Sequence, residues 1–305
     1  MKDMIVEKFI QADITRRGFC LATAATLAAT LSPNWAAAAP GADDALARKL
    51  VEMEKRLGAR LGASITDTHT GRRWLQRADE RFPMNSTFKA FACAAVLARV
   101  DAGEETLERE IAIRKSDLVN YSPVTEKRVG GRPMKLFELC EAASTMSDNT
   151  AANLLVDSLG GPQGWTRFMR SIGDGVSRLD RKEPGLTTAT PGDPRDTTTP
   201  EAIAASLRTL VFGDVLASAS RRQFETWLID NKVSRPLLRA GLPGDWRIAD
   251  RTGAGGHGSR GIVAVIWPPA RQPVIAAIYI AECKQPMDQR NAAIAEIGRT
   301  LAETL

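Results

Sequence analysis

The segment Ser86-Thr87-Phe88-Lys89-Ala90-Phe91-Ala92-Cys93-Ala94-Ala95-Val96-Leu97-Ala98 carries no charge beyond Lys89. A helix that is apolar on every face has no side to offer water, so the run 88–100 predicts a helix at the centre of a large core. The same run opens with a chemically suggestive pair. Ser86 and Lys89 stand three residues apart on one helix face, so the amine can reach the hydroxyl. A serine hydroxyl is a weak nucleophile that needs a base, and desolvation favours the neutral amine that can act as one. Unpaired N–H groups at the helix start lie beside the same oxygen. A Ser-x-x-Lys tetrapeptide is nevertheless expected about once by chance in a chain of this length, so alone it decides little.

Working outward, Asp43 or Asp44 can cap a helix whose Leu46, Leu50, Met53 and Leu57 share a face before Gly58 stops it. Residues 63–66 and 74–76 read as strands joined by a turn at 68–71. Beyond the central helix, Leu136, Leu139, Cys140 and Ala143 repeat at helical spacing, and 149–159 and 162–172 are two more helical stretches around Gly160-Gly161. Residues 174–198 hold Gly, Pro, Asp and Thr without an apolar period, up to the capped start Thr199-Pro200-Glu201. Loops of that length inside a domain are uncommon and often functional. Runs 261–267 and 274–280 are rich in Val and Ile and read as strands, after which Asp288 caps a last helix through Ile294, Ile297 and Leu301. Strands and a helix at both ends with helices between predict an α+β architecture: 40–80 and 232–305 form one domain, and 81–231 an all-α domain.

Composition narrows the chemistry. The 305 residues are 44% apolar and 25% charged, an ordinary globular balance. Two histidines and four cysteines are too few for a multi-histidine metal centre, a zinc module or an iron–sulfur ferredoxin. The net charge is only +5 and interspersed, with no basic run among aromatics, so no nucleic-acid partner is expected. At the start, Thr15-Arg16-Arg17-Gly18-Phe19 precedes an apolar run, 20–31, that ends in Ala36-Ala37-Ala38-Ala39. This predicts a twin-arginine export signal over 1–39, cleaved near Ala38 or Ala39, with an apolar run too short to span a bilayer. Cys20 leaves with it. Cys93, Cys140 and Cys283 remain in an oxidising compartment, where three thiols imply one pair and one left over; sequence alone does not choose the pair.

Two further motifs change the weight of the first. Ser147-Asp148-Asn149 precedes a helix that Asp148 could simply cap. Arg251-Thr252-Gly253 opens a Gly-rich run that alone would read as a turn with a solvated arginine. In this order the three match S-x-x-K, S-D-N and K-T-G, the signature of class A β-lactamases and penicillin-binding proteins. From about residue 43 onward the chain resembles the class A serine β-lactamases, most closely in Tyr121-Ser122-Pro123-Val124-Thr125-Glu126-Lys127, 146–153 and 178–199. Glu183, in Arg181-Lys182-Glu183-Pro184, separates the branches: a carboxylate can activate water to hydrolyse an acyl-enzyme, and penicillin-binding proteins lack it.

The resemblance implies a β-lactamase/transpeptidase-like fold: an antiparallel sheet flanked by N- and C-terminal helices, an all-α domain, and the active site between them. It implies Ser86 as nucleophile, Lys89 or Glu183 as acylation base, and Ser147 as proton relay to the lactam nitrogen. The N–H groups of Ser86 and Ala254 would form the oxyanion hole. Asn149 would bond the substrate's side-chain amide and Lys89. Arg251, Thr252 and Arg260 would receive the substrate carboxylate, with Gly253 beside them, and Tyr121 would wall the entrance. It further implies a cis bond before Pro184, an Arg181–Asp196 clamp on the omega loop 178–196, and a Cys93–Cys140 disulfide that leaves Cys283 free. The expected protein is a monomeric, periplasmic enzyme that uses no cofactor or metal, confers β-lactam resistance, and acts on penicillins and then cephalosporins.

Three departures from the family pattern stand out. Arg251 replaces the usual lysine, as in carbenicillin-hydrolysing members, which keeps the charge but changes the donor's shape. Thr187 replaces the asparagine that helps Glu183 hold the deacylation water, and Gly185 replaces a common glutamate. Asn85 and Gly255 are not cysteines, so the extra disulfide of several carbapenem-hydrolysing groups is absent; this leaves carbapenem hydrolysis open.

Overall fold

The helix expected at the centre is there, and a five-stranded sheet lies alongside it. A computed structural model describes residues 44–305, which fall in one compact unit. The proposed export signal lies outside the described residues. In chain order the elements begin with α1 (Ala45–Leu57), β1 (Arg60–Asp67), β2 (Arg73–Gln76), β3 (Phe82–Pro83) and α2 (Phe88–Asp101). Next come β4 (Glu110–Ile111), β5 (Met134–Lys135), α3 (Leu136–Thr145), α4 (Asn149–Ser158), α5 (Gly161–Ser171) and β6 (Thr197–Thr198). The chain closes with α6 (Pro200–Phe212), α7 (Ser218–Ile229), α8 (Leu238–Gly241), β7 (Arg247–Ala254), β8 (Arg260–Trp267), β9 (Val274–Ala281) and α9 (Met287–Thr304).

Local chemistry explains the boundaries. Asp44 Oδ1 accepts from the N–H groups of Leu46 and Ala47 at 3.1 and 3.3 Å, and Gly58 ends α1 in the left-handed conformation at φ 56°. Thr199 caps α6 by accepting from Ala202 N. Asp288 does not cap α9; Pro286 holds that place, and Asp288 lies in the first turn, where its charge still favours the helix N-terminus.

The sheet runs β2-β1-β9-β8-β7, wholly antiparallel, so its strands come from both ends of the described chain. Alternate residues of one strand serve two cores. Ile262, Ala264 and Ile266 of β8 face Leu46, Leu50 and Met53 of α1 and Ile294, Ile297 and Leu301 of α9. Val263 and Val265 belong to the other core, which is built on α2 and the helices around it. Both faces are therefore covered, and this is why β8 and β9 read as continuous apolar runs. From Phe88 to Leu97, every residue of α2 is buried.

One correction concerns the third motif. Arg251-Thr252-Gly253 is not a turn; it lies within β7, paired with β8 through Arg251↔Val263 and Gly253↔Gly261. The turn follows at 255–259, where Gly255 N donates to Ser259 O.

Candidate active site

Ser86 sits on a 3-10 turn, Asn85–Thr87, that delivers it to the start of α2. It is buried apart from an edge on a pocket of about 300 Å³, shared with Ser147, Asn149, Glu183, Thr252 and Ala254. Tyr121, Thr187, Gly253 and Arg260 wall the same space, together with Val233. Thus the three motifs and the loop carboxylate, far apart in sequence, converge on one cavity.

Lys89 is completely buried. Its Nζ donates to Ser147 O at 2.9 Å, Ser147 Oγ at 3.3 Å and Asn149 Oδ1 at 2.5 Å, and lies 3.7 Å from Glu183 Oε1. Burial pulls the amine down to about 7; the Glu183 carboxylate opposes the shift and Arg251 reinforces it. Its hydrogen bonds therefore run to the second motif, where the helix-face argument had aimed them at Ser86.

Asp148 has both of the roles that competed for it. Its Oδ1 caps α4 through Ala151 N at 2.8 Å. Its Oδ2 accepts from Val124 N and Thr125 N, each at 2.9 Å, fixing the loop that carries Tyr121. Asn149 Nδ2 donates to Asn120 O of that loop at 2.8 Å. Ser147, held between, adopts φ 61°.

Glu183 is placed by its backbone. Asn153 accepts from Glu183 N at 2.9 Å and donates to Glu183 O at 3.0 Å, and the bond to Pro184 is cis, as expected. Thr187 Oγ1 donates to Glu183 Oε2 at 3.2 Å, while Glu183 Oε1 is buried with no hydrogen-bond partner. Arg181 Nε and Asp196 Oδ2 meet at 2.6 Å, and Asp196 Oδ1 also accepts from Asp180 N and Arg181 N. A buried carboxylate with three donors holds both ends of the loop together.

Arg251 is placed differently from its expected role. It is fully buried in β7 and does not line the pocket; Nη2 donates to Ser147 Oγ at 2.6 Å and Nη1 to Thr252 O at 2.8 Å. Burial lowers it to about 10. Thr252 and Arg260 form the cationic end of the pocket instead. Arg260 is held by Asn291 Oδ1 at 2.8 Å and Gly253 O at 3.1 Å, and burial lowers it to about 10 as well.

Cys93, Cys140 and Cys283 are all free thiols here. Cys93 Sγ lies 3.5 Å from Cys140 O and 3.2 Å from Ser144 Oγ, with the Cys140 thiol beside it.

Residues 45–305 match the model of the β-lactamase enzyme family. The chain belongs to that family. It is 52% identical over 252 residues to β-lactamase AER-1 of Aeromonas hydrophila, covering 83% of each chain. An ancestral class A β-lactamase is 59% identical, with a TM-score of 0.84 over 85% of this chain and all of that one. A class A β-lactamase described as putative, from Rhodopseudomonas palustris, is 50% identical, with a TM-score of 0.84 over 86% of this chain and 100% of its own. The protein is a class A serine β-lactamase, a hydrolase acting on β-lactams.

Several positioning residues of this β-lactamase were not picked out from sequence. Asn153 lies one helical turn beyond Asn149, a spacing that could have drawn attention to it. Asn291, which holds Arg260, and Val233, on the pocket wall, carried no local signal, because only the tertiary fold brings them to those places. Among the described residues no helix is long and apolar enough to cross a membrane.

Proposed function

We propose that Ser86 opens the β-lactam amide and that water activated by Glu183 then hydrolyses the resulting ester. The observation carrying this is the convergence of Ser86, Ser147 and Glu183 on one cavity, with Lys89, lowered to about 7, fully buried beside it at 3.7 Å from Glu183 Oε1. In acylation, Ser86 Oγ attacks the lactam carbonyl as its proton passes to neutral Lys89. The N–H groups of Ser86 and Ala254 hold the oxyanion. The C–N bond breaks as Ser147 Oγ gives its proton to the ring nitrogen and is resupplied by Lys89 Nζ, 3.3 Å away. In deacylation, Glu183 takes a proton from water, whose oxygen attacks the ester carbonyl, and Ser86 leaves with a proton.

The substrate carboxylate goes to Thr252 and Arg260, and the side-chain amide to Asn149. Arg251 acts through its hydrogen bond to Ser147. Penicillins are the first substrates and cephalosporins the second. The enzyme works as an exported, periplasmic monomer that reaches its compartment by the twin-arginine route.

Excess nitrocefin added to the purified mature enzyme tests this. Sustained turnover is expected, together with its loss in Ser86→Ala and a stable acyl adduct by mass spectrometry in Glu183→Gln. Unimpaired turnover in Ser86→Ala would overturn it. A steady-state panel over penicillins, cephalosporins and carbapenems sets the spectrum.

A further inference from the structure

Asn85 stands immediately before the nucleophile, fully buried, at φ 46°. Asparagine enters this left-handed region more readily than most residues with a side chain. Its amide reaches across to the β7–β8 hairpin, where Nδ2 donates to Ser259 Oγ at 2.9 Å. Among the described residues this is the one side-chain hydrogen bond joining the 85–87 turn to that hairpin. Ser259 precedes Arg260 on the pocket wall, and its N–H closes the hairpin turn on Gly256 O at 3.0 Å.

Packing at this junction leaves no slack. A Cβ added at Gly253 would lie 2.8 Å from Ser86 N and 2.9 Å from Asn85 Cβ; one at Gly255 would lie 2.2 Å from Asn85 Oδ1. Asn85 Oδ1 itself is buried without a partner, which costs stability. The side chain is thus poorly explained as a device for stabilising its own turn. The two N–H groups assigned above to the oxyanion belong to different elements, Ser86 to the turn and Ala254 to β7. Their separation is set where Asn85 meets the hairpin, and oxyanion donors work only within a narrow range of distances.

We infer that Asn85 is a positioning residue: through Ser259 it fixes the span between the Ser86 and Ala254 N–H groups and so tunes stabilisation of the tetrahedral oxyanion. The inference rests on the reading of Ser86 as the acylated residue.

The test compares Asn85→Gly, Ser259→Ala and the double variant with wild type. Glycine deletes the amide while keeping the left-handed turn free of strain. Three quantities are measured: kcat/KM for nitrocefin, the inhibition constant of phenylboronic acid, and the melting temperature. The boronic acid forms an O–B bond to the serine as the hydroxyl proton leaves, giving a tetrahedral mimic whose affinity a purely structural role would not move. Each single variant is expected to lose about tenfold in kcat/KM and in boronate affinity, less than the ~10²–10³ of losing an oxyanion donor outright. The double variant is expected to lose no more than the worse single. Additive losses, or boronate affinity within twofold of wild type in Ser259→Ala, would overturn the role of Asn85 even if Asn85→Gly folds poorly. Absence of wild-type turnover and of a boronate adduct would instead remove the reading of Ser86, and this inference with it.

Discussion

At the scale of single residues, Lys89 shows how burial makes chemistry. With no exposure, its ammonium has lost its water, and the value near 7 leaves a large neutral fraction at physiological pH. With the neutral amine accepting the Ser86 proton, as proposed above, the acylation rate should rise with pH through about 7 and level off above it. The carboxylate of Glu183 holds the lysine up, so removing that charge lets it fall further. In Glu183→Gln the acid limb of acylation should move below 7, while deacylation drops by about 10²–10⁴-fold, the usual worth of a general base. Single-turnover stopped flow against pH reads both. If acylation vanished along with deacylation, Glu183 and not Lys89 would be the first base. Thr187 is the neighbouring test. Its hydroxyl is shared between Glu183 Oε2 and Pro184 O, 3.2 and 2.9 Å away, and reaches less far than an amide. Thr187→Asn should speed deacylation several-fold for slow substrates, the worth of about one hydrogen bond, and leave acylation unchanged. Pre-steady-state bursts with identical deacylation rates across substrates would remove this role.

At the scale of elements, the omega loop depends on one buried anion. Asp196 is fully buried, and its charge is answered by Arg181 Nε and two backbone N–H groups. Arg181→Ala would leave that carboxylate without its cation, at a cost of about 2 kcal/mol; the larger figures for fully buried pairs do not apply to a partly exposed arginine. Loop amides over 178–196 should then exchange hydrogen faster, with deacylation slowed because Glu183 rides on the loop. Unchanged exchange would show that the backbone bonds alone hold it. The loop was legible because a long aperiodic segment inside a domain is rare, whereas its clamp was legible only through the family resemblance. Helix α1, between Asp44 and Gly58, and α2, from its unbroken apolar run, were legible directly. Strand β7 was not legible. Its sequence interrupts alternation with Arg247, Asp250 and Arg251, and the buried charges among them are satisfied only from a distance. Asp250 takes Arg239 Nε and Asn231 Nδ2, each at 2.7 Å, and Arg251 takes Ser147. Local pattern cannot show a strand whose polar residues are buried by partners elsewhere in the chain.

At the scale of the whole molecule, the two cores share one sheet but serve different ends. The core around α2 carries the nucleophile turn, the second motif and the loop of Glu183, whereas the core between the sheet, α1 and α9 meets the pocket chiefly through Asn291 and its bond to Arg260. Equal damage on the two sides should then have unequal effects on catalysis. Leu50 of α1 and Leu186, in the turn between Glu183 and Thr187, are each 1% exposed, and each loses the same atoms on truncation to alanine. Either substitution should cost about 2–5 kcal/mol of stability, by lost burial and the cavity left behind. Leu50→Ala should keep kcat and kcat/KM within about twofold of wild type at 25 °C, because no pocket wall rests on α1. Leu186→Ala should lose at least about tenfold in deacylation, since a misplacement of the order of 1 Å in a reacting group is that costly or more. Urea melts establish the folded fraction of each variant, and burst kinetics at matched folded fraction give the comparison. Equal catalytic losses in the two variants would mean that the sheet transmits strain between the cores, and that the site is not supported by one of them alone.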